Sequence, residues 1–323
     1  GTAARCRQMA IAANTTMLHL LMGWPCDGLG DWPFHPVSLG GKTYRAQEVL
    51  GPQSPLADAT VTLLPGMSTY VGADITAGIW QCGLASSDDV SLFVDLGTNG
   101  EMVLGNKDQR FIASAPAGPA LEGGKLTWGT GSVPGAICGV RIERGRAKVR
   151  TIDHAVPVGI CGTGILEAMA GLVREGLVDE TGKLVEPYFH KGFPLASTLD
   201  YQRITLSQQD IREIQMAKSA IRAGIESLIE RSGISRQRVH QVFLAGGFGY
   251  YLDPQKAAVI GLLPADLAER TTAVGNTSLK GAIGLLTGAV TLEELQAIAA
   301  GVEEIVLGND EAFQRLYIDY LNF

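Results

Sequence analysis

The 323-residue chain lacks several features that would place it in a common class of protein. None of its apolar runs reaches the roughly 18 residues that a membrane-spanning helix needs, and no secretory signal opens it. Its five cysteines are scattered and contain no CxxC pair, which fits a reduced cytoplasmic protein better than a disulfide-rich secreted one. We therefore expect a globular cytoplasmic protein that is not bound to a membrane.

Positive charge is also scarce, because 33 acidic residues outnumber 26 basic ones and the net charge is −7. A chain with this balance has no basic field to attract DNA or RNA, so we expect no nucleic-acid partner. Any bound anion must be held locally, by backbone amides and a few basic side chains. The chain is instead rich in glycine, with 41 residues that cluster in short motifs.

Strand-like and helix-like segments alternate along the chain, which predicts an α/β fold with mixed sheets flanked by helices. The clearest helix runs from Ser207 to Arg231, with apolar residues at helical spacing and a capping-box pattern, Ser207-x-x-Asp210, at its start. A hairpin is predicted around Arg144 and Gly145. Residues 24–58 show little periodicity and predict an irregular connecting arm, and the acidic segment 292–306 predicts a helix.

The first notable turn lies in VSLFVDLGTNGEMVLGN, Val90 to Asn106, where two apolar runs flank a Gly-Thr-Asn-Gly sequence. A turn without bulky side chains can direct several N–H groups into one concavity that suits a phosphate, and glycine permits positive φ angles and close approach. Asp95, at the end of the first run, would hold Mg²⁺ through a bound water. The alternative is a type I′ hairpin with Asp95 as its cap, and the motif alone does not separate the two.

Two further glycine turns follow. In VGICGTGILEAM, Val158 to Met169, glycines precede a helix whose N–H groups could bind an anion, although the Lys-Ser/Thr of a Walker A loop is missing. In VFLAGGFGYYL, Val242 to Leu252, a strand ends on glycines where a flat group could rest on bare backbone. The alternatives are tight strand-to-helix packing for the former turn and a steric requirement for glycine in the latter.

The order of these motifs resembles one nucleotide-binding lobe of the acetate-kinase, sugar-kinase, Hsp70 and actin superfamily. The resemblance implies that the hairpin holds phosphate, that the GG turn holds adenosine, and that the polar face of the long helix covers the adenine and ribose. On that helix a polar stripe is formed by Gln215, Lys218, Ser219 and Arg222. An ordinary solvated helix face is the alternative for this stripe.

The resemblance narrows to the reductive activators of corrinoid proteins, on the segments DLGTNGEMVL, SAPAGPALEGG, PVGICGTGILEAMAGLVREGLVD, VFLAGGFG and VGNTSLKGAIGLL, with ANTTMLHLLMG and LPGMSTYVGADITA upstream. It implies an ATP-dependent step that returns a Co(II) corrinoid to Co(I), so that a methyltransferase can resume work. The implied partners are the corrinoid protein of a methyltransferase system, an electron donor and a second copy of the chain.

These activators carry a [2Fe–2S] domain of which this sequence has no trace, so we expect the chain to be the C-terminal region of a longer protein. Residues 1–88 would be a partial first lobe with a connecting arm, and residues 89–323 a second actin-like lobe with most of the nucleotide site. Two other functions remain open: a small-molecule kinase of the same superfamily, and a nucleotide-gated binding module without turnover.

The site implied by the resemblance contains two catalytic acids, Asp95 and Asp74, of which Asp95 would also bind Mg²⁺ through water. For Asp74 the alternative is a favourable charge at a helix N-terminus. Cys161 is either a redox-active thiol at a helix start or a small residue in a tight turn. The residues assigned to binding of ATP are Gly97, Thr98, Asn99, Gly100, Gly162, Thr163, Gly164, Gln215, Lys218, Arg222, Gly246, Gly247 and Phe248.

Overall fold

The structure is a computed structural model that describes residues 6–56, 58–247 and 252–323. The helices are α1 (Thr15–Met22), α2 (Asp27–Gly30), α3 (Ala46–Leu50), α4 (Ala73–Gln81), α5 (Gly162–Arg174), α6 (Tyr188–Lys191), α7 (Gln208–Ser232), α8 (Pro254–Val259), α9 (Thr277–Thr287), α10 (Leu292–Ala300) and α11 (Glu311–Asp319). The strands are β1 (Gln8–Ile11), β2 (Lys42–Arg45), β3 (Thr60–Leu63), β4 (Val90–Leu96), β5 (Gly100–Gly105), β6 (Arg110–Ala115), β7 (Ala136–Glu143), β8 (Arg146–Thr151), β9 (Gly159–Ile160), β10 (Phe193–Ser197), β11 (Arg203–Leu206), β12 (Val239–Ala245), β13 (Thr271–Gly275) and β14 (Glu303–Glu304).

The chain divides into two compact units that are built from non-contiguous segments. Unit 1 comprises residues 1–93, 103–113 and 276–305, and unit 2 comprises residues 94–102, 114–275 and 306–323. The largest sheet has the strand order β13-β12-β4-β5-β6-β14. The predicted division of the chain at residues 88 and 89 stays a prediction.

Unit 1 contains a three-stranded sheet in which β3 pairs with β1 in parallel and with β2 antiparallel. Its core is apolar and fully buried at Leu18, Val61 and Leu63. The prediction of an irregular arm over residues 24–58 was wrong in its second half, which forms β2 and α3. Neither element could be predicted, because β2 is an edge strand with largely exposed polar side chains and α3 has five residues, too few to show a helical period.

Helices α4 and α9 of unit 1 pack at unusually close range. A Cβ added at Gly281 would lie 2.3 Å from the Cβ of Ala77, and one at Gly284 would lie 2.3 Å from the ring of Trp80. The segment 292–306, predicted to be helical, is helical only as far as Ala300, because Gly301 ends α10 and β14 then pairs in parallel with β6.

Unit 2 is organised around α7, whose 25 residues include a nearly continuous buried surface. The predicted capping box is confirmed: Ser207 accepts from the Asp210 N–H, and the Asp210 carboxylate accepts from the Ser207 N–H. The predicted hairpin is confirmed as β7 and β8, which pair antiparallel, while β7 also pairs in parallel with β9. Strands β12 and β13 pair in parallel.

The predicted fold class, mixed sheets with flanking helices, is confirmed, since within the described residues β3 and β7 each pair with one parallel and one antiparallel neighbour. Among the residues that the structure describes, no helix combines the length and the apolar character needed to cross a bilayer.

Candidate functional site

The first glycine corner is the turn between β4 and β5. It is closed by the Gly97 N–H, which donates to the Asn99 carbonyl over 3.0 Å. None of the four turn residues has a positive φ, so both the type I′ alternative and our expectation of positive φ angles were wrong. Gly100 is instead needed for packing, because a Cβ there would lie 3.0 Å from Ile221 of α7. Thr98 stands exposed at the tip.

The second corner is the start of α5. Cys161 occupies the N-cap position without a capping side-chain hydrogen bond, and the first turn has no acidic residue. The N–H groups of Gly162 and Thr163 belong to that turn and have no acceptor within the helix. Gly164 serves packing, because a Cβ there would lie 2.1 Å from the Ile137 carbonyl oxygen. The corner therefore combines a packing glycine with an uncapped, electropositive helix start.

The third corner is the end of β12, where two consecutive glycines differ in role. Gly246 has φ +124°, and a Cβ there would lie 2.4 Å from the Leu96 carbonyl oxygen, so this glycine is required by the fold. A Cβ added at Gly247 would meet no atom of the described residues within 4 Å. Phe248, which we assigned to the adenosine site, lies outside the described residues.

The three corners meet in unit 2. Thr163 and Gly247 line one cavity of about 420 Å³. Gly162, Gly247 and Glu122 line a second cavity of about 280 Å³, which shares lining residues with the first. The Thr98 hydroxyl donates to the Glu122 carboxylate over 2.6 Å, so the hairpin tip reaches the same place. We call the two cavities, together with the hairpin tip at Thr98, the cradle.

Sequence reasoning missed one wall of the cradle, the loop that contains Glu122, Thr130, Gly131 and Ser132. This loop is fixed to the second corner, because the Thr130 N–H donates to the Ile160 carbonyl over 2.9 Å and the Ile160 N–H donates to the Trp128 carbonyl over 2.8 Å. The glycine-rich sequence WGTGSVPG was the available signal. Its glycines and proline indicate a loop but have no periodic pattern that would link this loop to the three glycine corners.

The two predicted catalytic acids lie in different units. Asp95 is half-buried one residue before the end of β4 in unit 2, and its water-mediated contact with Mg²⁺ stays a prediction. Asp74 lies in unit 1, in the first turn of α4, where its carboxylate accepts from the Ile75 N–H and burial raises its pKa. This position fits the helix-charge alternative as well as a catalytic one. Within the described residues, no three His, Cys, Asp or Glu side chains form a metal-binding group.

The polar stripe of α7 is covered by the end of the chain. Gln215 donates to the Leu321 carbonyl, Lys218 donates to the Asn322 carbonyl, and the Arg222 guanidinium lies 4.4 Å from the centre of the Tyr320 ring. The alternative of a solvated face was therefore wrong for Gln215 and Lys218, which are both buried. Their assignment to an adenosine site stays a prediction; in this structure Gln215 donates to the carbonyls of Thr181 and Leu321, and Lys218 donates to that of Asn322.

Lys218 gives a pH-dependent test of this burial. Desolvation, with Arg222 nearby, lowers the pKa of Lys218 to about 8. A buried lysine with a lowered pKa destabilises the folded state below that pKa, and the cost is relieved as pH rises from about 8 towards the unfolded value near 10.5. Relative to Lys218→Met, the free energy of unfolding of the parent chain should rise by roughly 2 kcal/mol between neutral pH and pH about 10. Denaturant titrations across this pH range measure both free energies of unfolding. A difference between the parent and Lys218→Met that does not change with pH would contradict the lowered pKa of Lys218.

The cradle has the chemistry of a phosphate site. It combines an uncapped helix start, a hydroxyl at a hairpin tip and a glycine, Gly247, at which an added Cβ would meet no described atom within 4 Å, so an anionic group could approach the backbone closely. Arginine and lysine side chains are not needed when helix N–H groups supply the donors. The described residues therefore fit the phosphates of a nucleotide.

Comparisons with known proteins agree with this geometry. Residues 89–323 match a family described as the C-terminal, ASKHA domain of RACo, and residues 2–87 match the RACo middle region. The corrinoid activation enzyme RamQ of Eubacterium limosum is 33% identical over 330 aligned residues, which cover 96% of this chain and 55% of that protein. A Methanosarcina barkeri protein, named as a reductase of the Co(II) methylated amine-specific corrinoid protein, is 28% identical over 311 residues, which cover 89% of this chain and 56% of that protein.

A solved structure titled reductive activator for corrinoid, iron–sulfur protein matches 98% of this chain with a TM-score of 0.92 and 33% sequence identity, and the match covers 52% of that protein. The chain thus spans about half the length of these relatives. The actin-like fold predicted from the order of the glycine motifs is confirmed. The chain belongs to the RACo family, and residues 89–323 form its ASKHA domain.

Proposed function

We propose that this chain is the ATP-binding region of a reductive activator that returns a Co(II) corrinoid protein to Co(I). The observation that carries the proposal is the meeting of Thr98, Gly162 and Gly247 around connected cavities in unit 2. The names of two relatives, a corrinoid activation enzyme and a Co(II) corrinoid protein reductase, support the identity of the substrate.

In this proposal the cradle binds the phosphates of ATP. The start of α5 would donate to the anionic oxygens, Gly97 would let them approach the turn closely, the Thr98 hydroxyl would orient one of them, and Asp95 would hold Mg²⁺ through water. Asp74 remains the candidate for orienting the attacking water. ATP would supply the free energy that the electron transfer to cobalt requires.

For the nucleotide to affect the corrinoid protein, each of them must bind one conformation of this chain more tightly than another. A ligand shifts a conformational equilibrium only when it binds one state more tightly than the other. We therefore expect ATP and the Co(II) corrinoid protein to strengthen each other's binding by the same factor, as linkage requires.

The remaining partners follow from the same proposal. The electron donor would be a [2Fe–2S] centre outside these 323 residues, and a second copy of the chain would complete a homodimer. A reducing, cytoplasmic location fits the five cysteines, all of which are free thiols. The two other functions considered above, a small-molecule kinase and a binding module without turnover, find no support in the names of these relatives.

ATP hydrolysis in the presence and absence of a Co(II) corrinoid protein tests the proposal, with the Eubacterium limosum relative as the positive control. We expect the corrinoid protein to raise turnover by about tenfold, which corresponds to about 1.4 kcal/mol in the barrier. Phosphoryl transfer to a small hydroxyl or carboxylate compound would favour the kinase. Nucleotide binding by both proteins, with turnover in the relative alone, would favour the binding module.

A further inference from the structure

Glu122 is delivered to the cradle by a rigid segment of backbone. It ends a 3-10 turn, Pro119–Glu122, whose neighbouring residues Ala120 and Leu121 are buried. Gly123 follows with φ +86°, and a Cβ there would lie 2.7 Å from the Thr130 carbonyl oxygen. The backbone at this point has little freedom to move, so the fold fixes where the Glu122 side chain starts.

The carboxylate lies where a bound phosphate would come close to it. One oxygen accepts the Thr98 hydroxyl over 2.6 Å, and the other lies 3.9 Å from the position of a Cβ added at Gly97. Glu122 also lines the cavity of about 280 Å³ together with Gly162 of the uncapped helix start. Both Glu122 and Thr98 are exposed, so their hydrogen bond can be exchanged for contacts with a ligand.

A carboxylate next to a phosphate site requires a cation. Two negative groups at short range repel each other, and this repulsion would oppose nucleotide binding unless a positive ion lies between them. Mg²⁺ is commonly bound by one or two carboxylates together with phosphate oxygens and water. The residues that the structure describes contain no group of three or more potential metal-binding side chains, so the nucleotide itself must complete such a site.

We propose that Glu122 is a carboxylate ligand for the Mg²⁺ of the bound nucleotide, either directly or through one water, in addition to the contact proposed for Asp95. The inference rests on the proposed function, because it needs a nucleotide in the cradle. The competing role is purely structural, with Glu122 doing no more than orienting the Thr98 hydroxyl. If Glu122 is a magnesium ligand, replacing it should weaken nucleotide binding only when Mg²⁺ is present. If its role is purely structural, the replacement should weaken binding equally with and without Mg²⁺.

The test is calorimetric binding of a non-hydrolysable ATP analogue to the 323-residue chain, in Mg²⁺ and in EDTA, for the parent and for Glu122→Gln. The parent should bind more tightly in Mg²⁺. Glu122→Gln should lose about tenfold in affinity in Mg²⁺, because a neutral amide is a weak magnesium ligand, and its affinity in EDTA should be unchanged or higher, because a repulsive charge is gone.

Two control variants separate the competing roles. Thr98→Val removes the hydroxyl but keeps the carboxylate, and should retain the gain from Mg²⁺. Glu230→Gln removes an exposed charge from the C-terminal end of α7 and should bind as the parent does. An equal loss for Glu122→Gln in Mg²⁺ and EDTA, or no loss in either, overturns the inference alone. A parent chain that binds no nucleotide overturns the proposed function together with it.

Discussion

Ser132→Asp should weaken nucleotide binding by about 100-fold while leaving the stability of the fold unchanged. Ser132 lines both cavities of the cradle and is exposed, so an added carboxylate would stand beside the bound phosphates. Two charges 4 Å apart near a protein surface interact by about 4 kcal/mol, and a 100-fold loss requires about 2.7 kcal/mol. A substitution at an exposed loop residue usually changes the free energy of unfolding by less than about 0.5 kcal/mol.

The matched control for this prediction is Ser132→Asn, which has nearly the same size as aspartate but no charge. It should bind the nucleotide within a few-fold of the parent in a fluorescence titration, while thermal unfolding compares the stability of all three proteins. If the aspartate and asparagine variants bind equally well, the phosphates are not in the cradle.

Gly246→Ala should destabilise the fold by roughly 3 kcal/mol, whereas Gly247→Ala should leave it intact. At Gly246 an added methyl group meets the Leu96 carbonyl oxygen at 2.4 Å, on a backbone with φ +124° that alanine rarely adopts. At Gly247 the same methyl group meets no atom of residues 6–56, 58–247 and 252–323 within 4 Å, and it extends from backbone that lines both cavities. Gly246 is therefore needed for the stability of the fold, whereas Gly247 is expected to be needed only for nucleotide binding.

Denaturant unfolding and nucleotide titration of the two variants measure this separation. Gly247→Ala should unfold at the parent's midpoint and bind the nucleotide several-fold more weakly, because the methyl group reduces the space for close approach to the backbone. A Gly246→Ala variant as stable as the parent would show that the turn can relax. A Gly247→Ala variant with unchanged affinity would remove the third corner from the site.

The sequence predicted the parts of the site that depend on local pattern. The hairpin at Thr98, the helix start at Gly162 and the strand end at Gly247 each combine an apolar run with glycines, and the capping box at Ser207 was visible as four residues. Their order along the chain, rather than any one of them, indicated the fold. A glycine in the sequence does not show whether it is needed for packing or for approach of a ligand. Gly100 and Gly164 were assigned to ligand binding, but in the structure both are needed for packing.

Long-range contacts explain what the sequence did not reveal. Glu122 reaches Thr98 across 24 residues, and Lys218 reaches Asn322 across 104 residues. No periodic pattern encodes such pairs, so the polar stripe of α7 could be recognised while its cover of residues 317–323 could not. The edge strand β2 was missed for a different reason, since its exposed side chains need no apolar alternation.

The most direct measurement is a crystal structure of this chain with Mg²⁺ and a non-hydrolysable ATP analogue. We predict that the phosphates lie between the turn at Gly97–Thr98 and the first turn of α5, with Gly247 at their edge. An analogue bound anywhere else on the chain, with the start of α5 free of phosphate, would contradict the account.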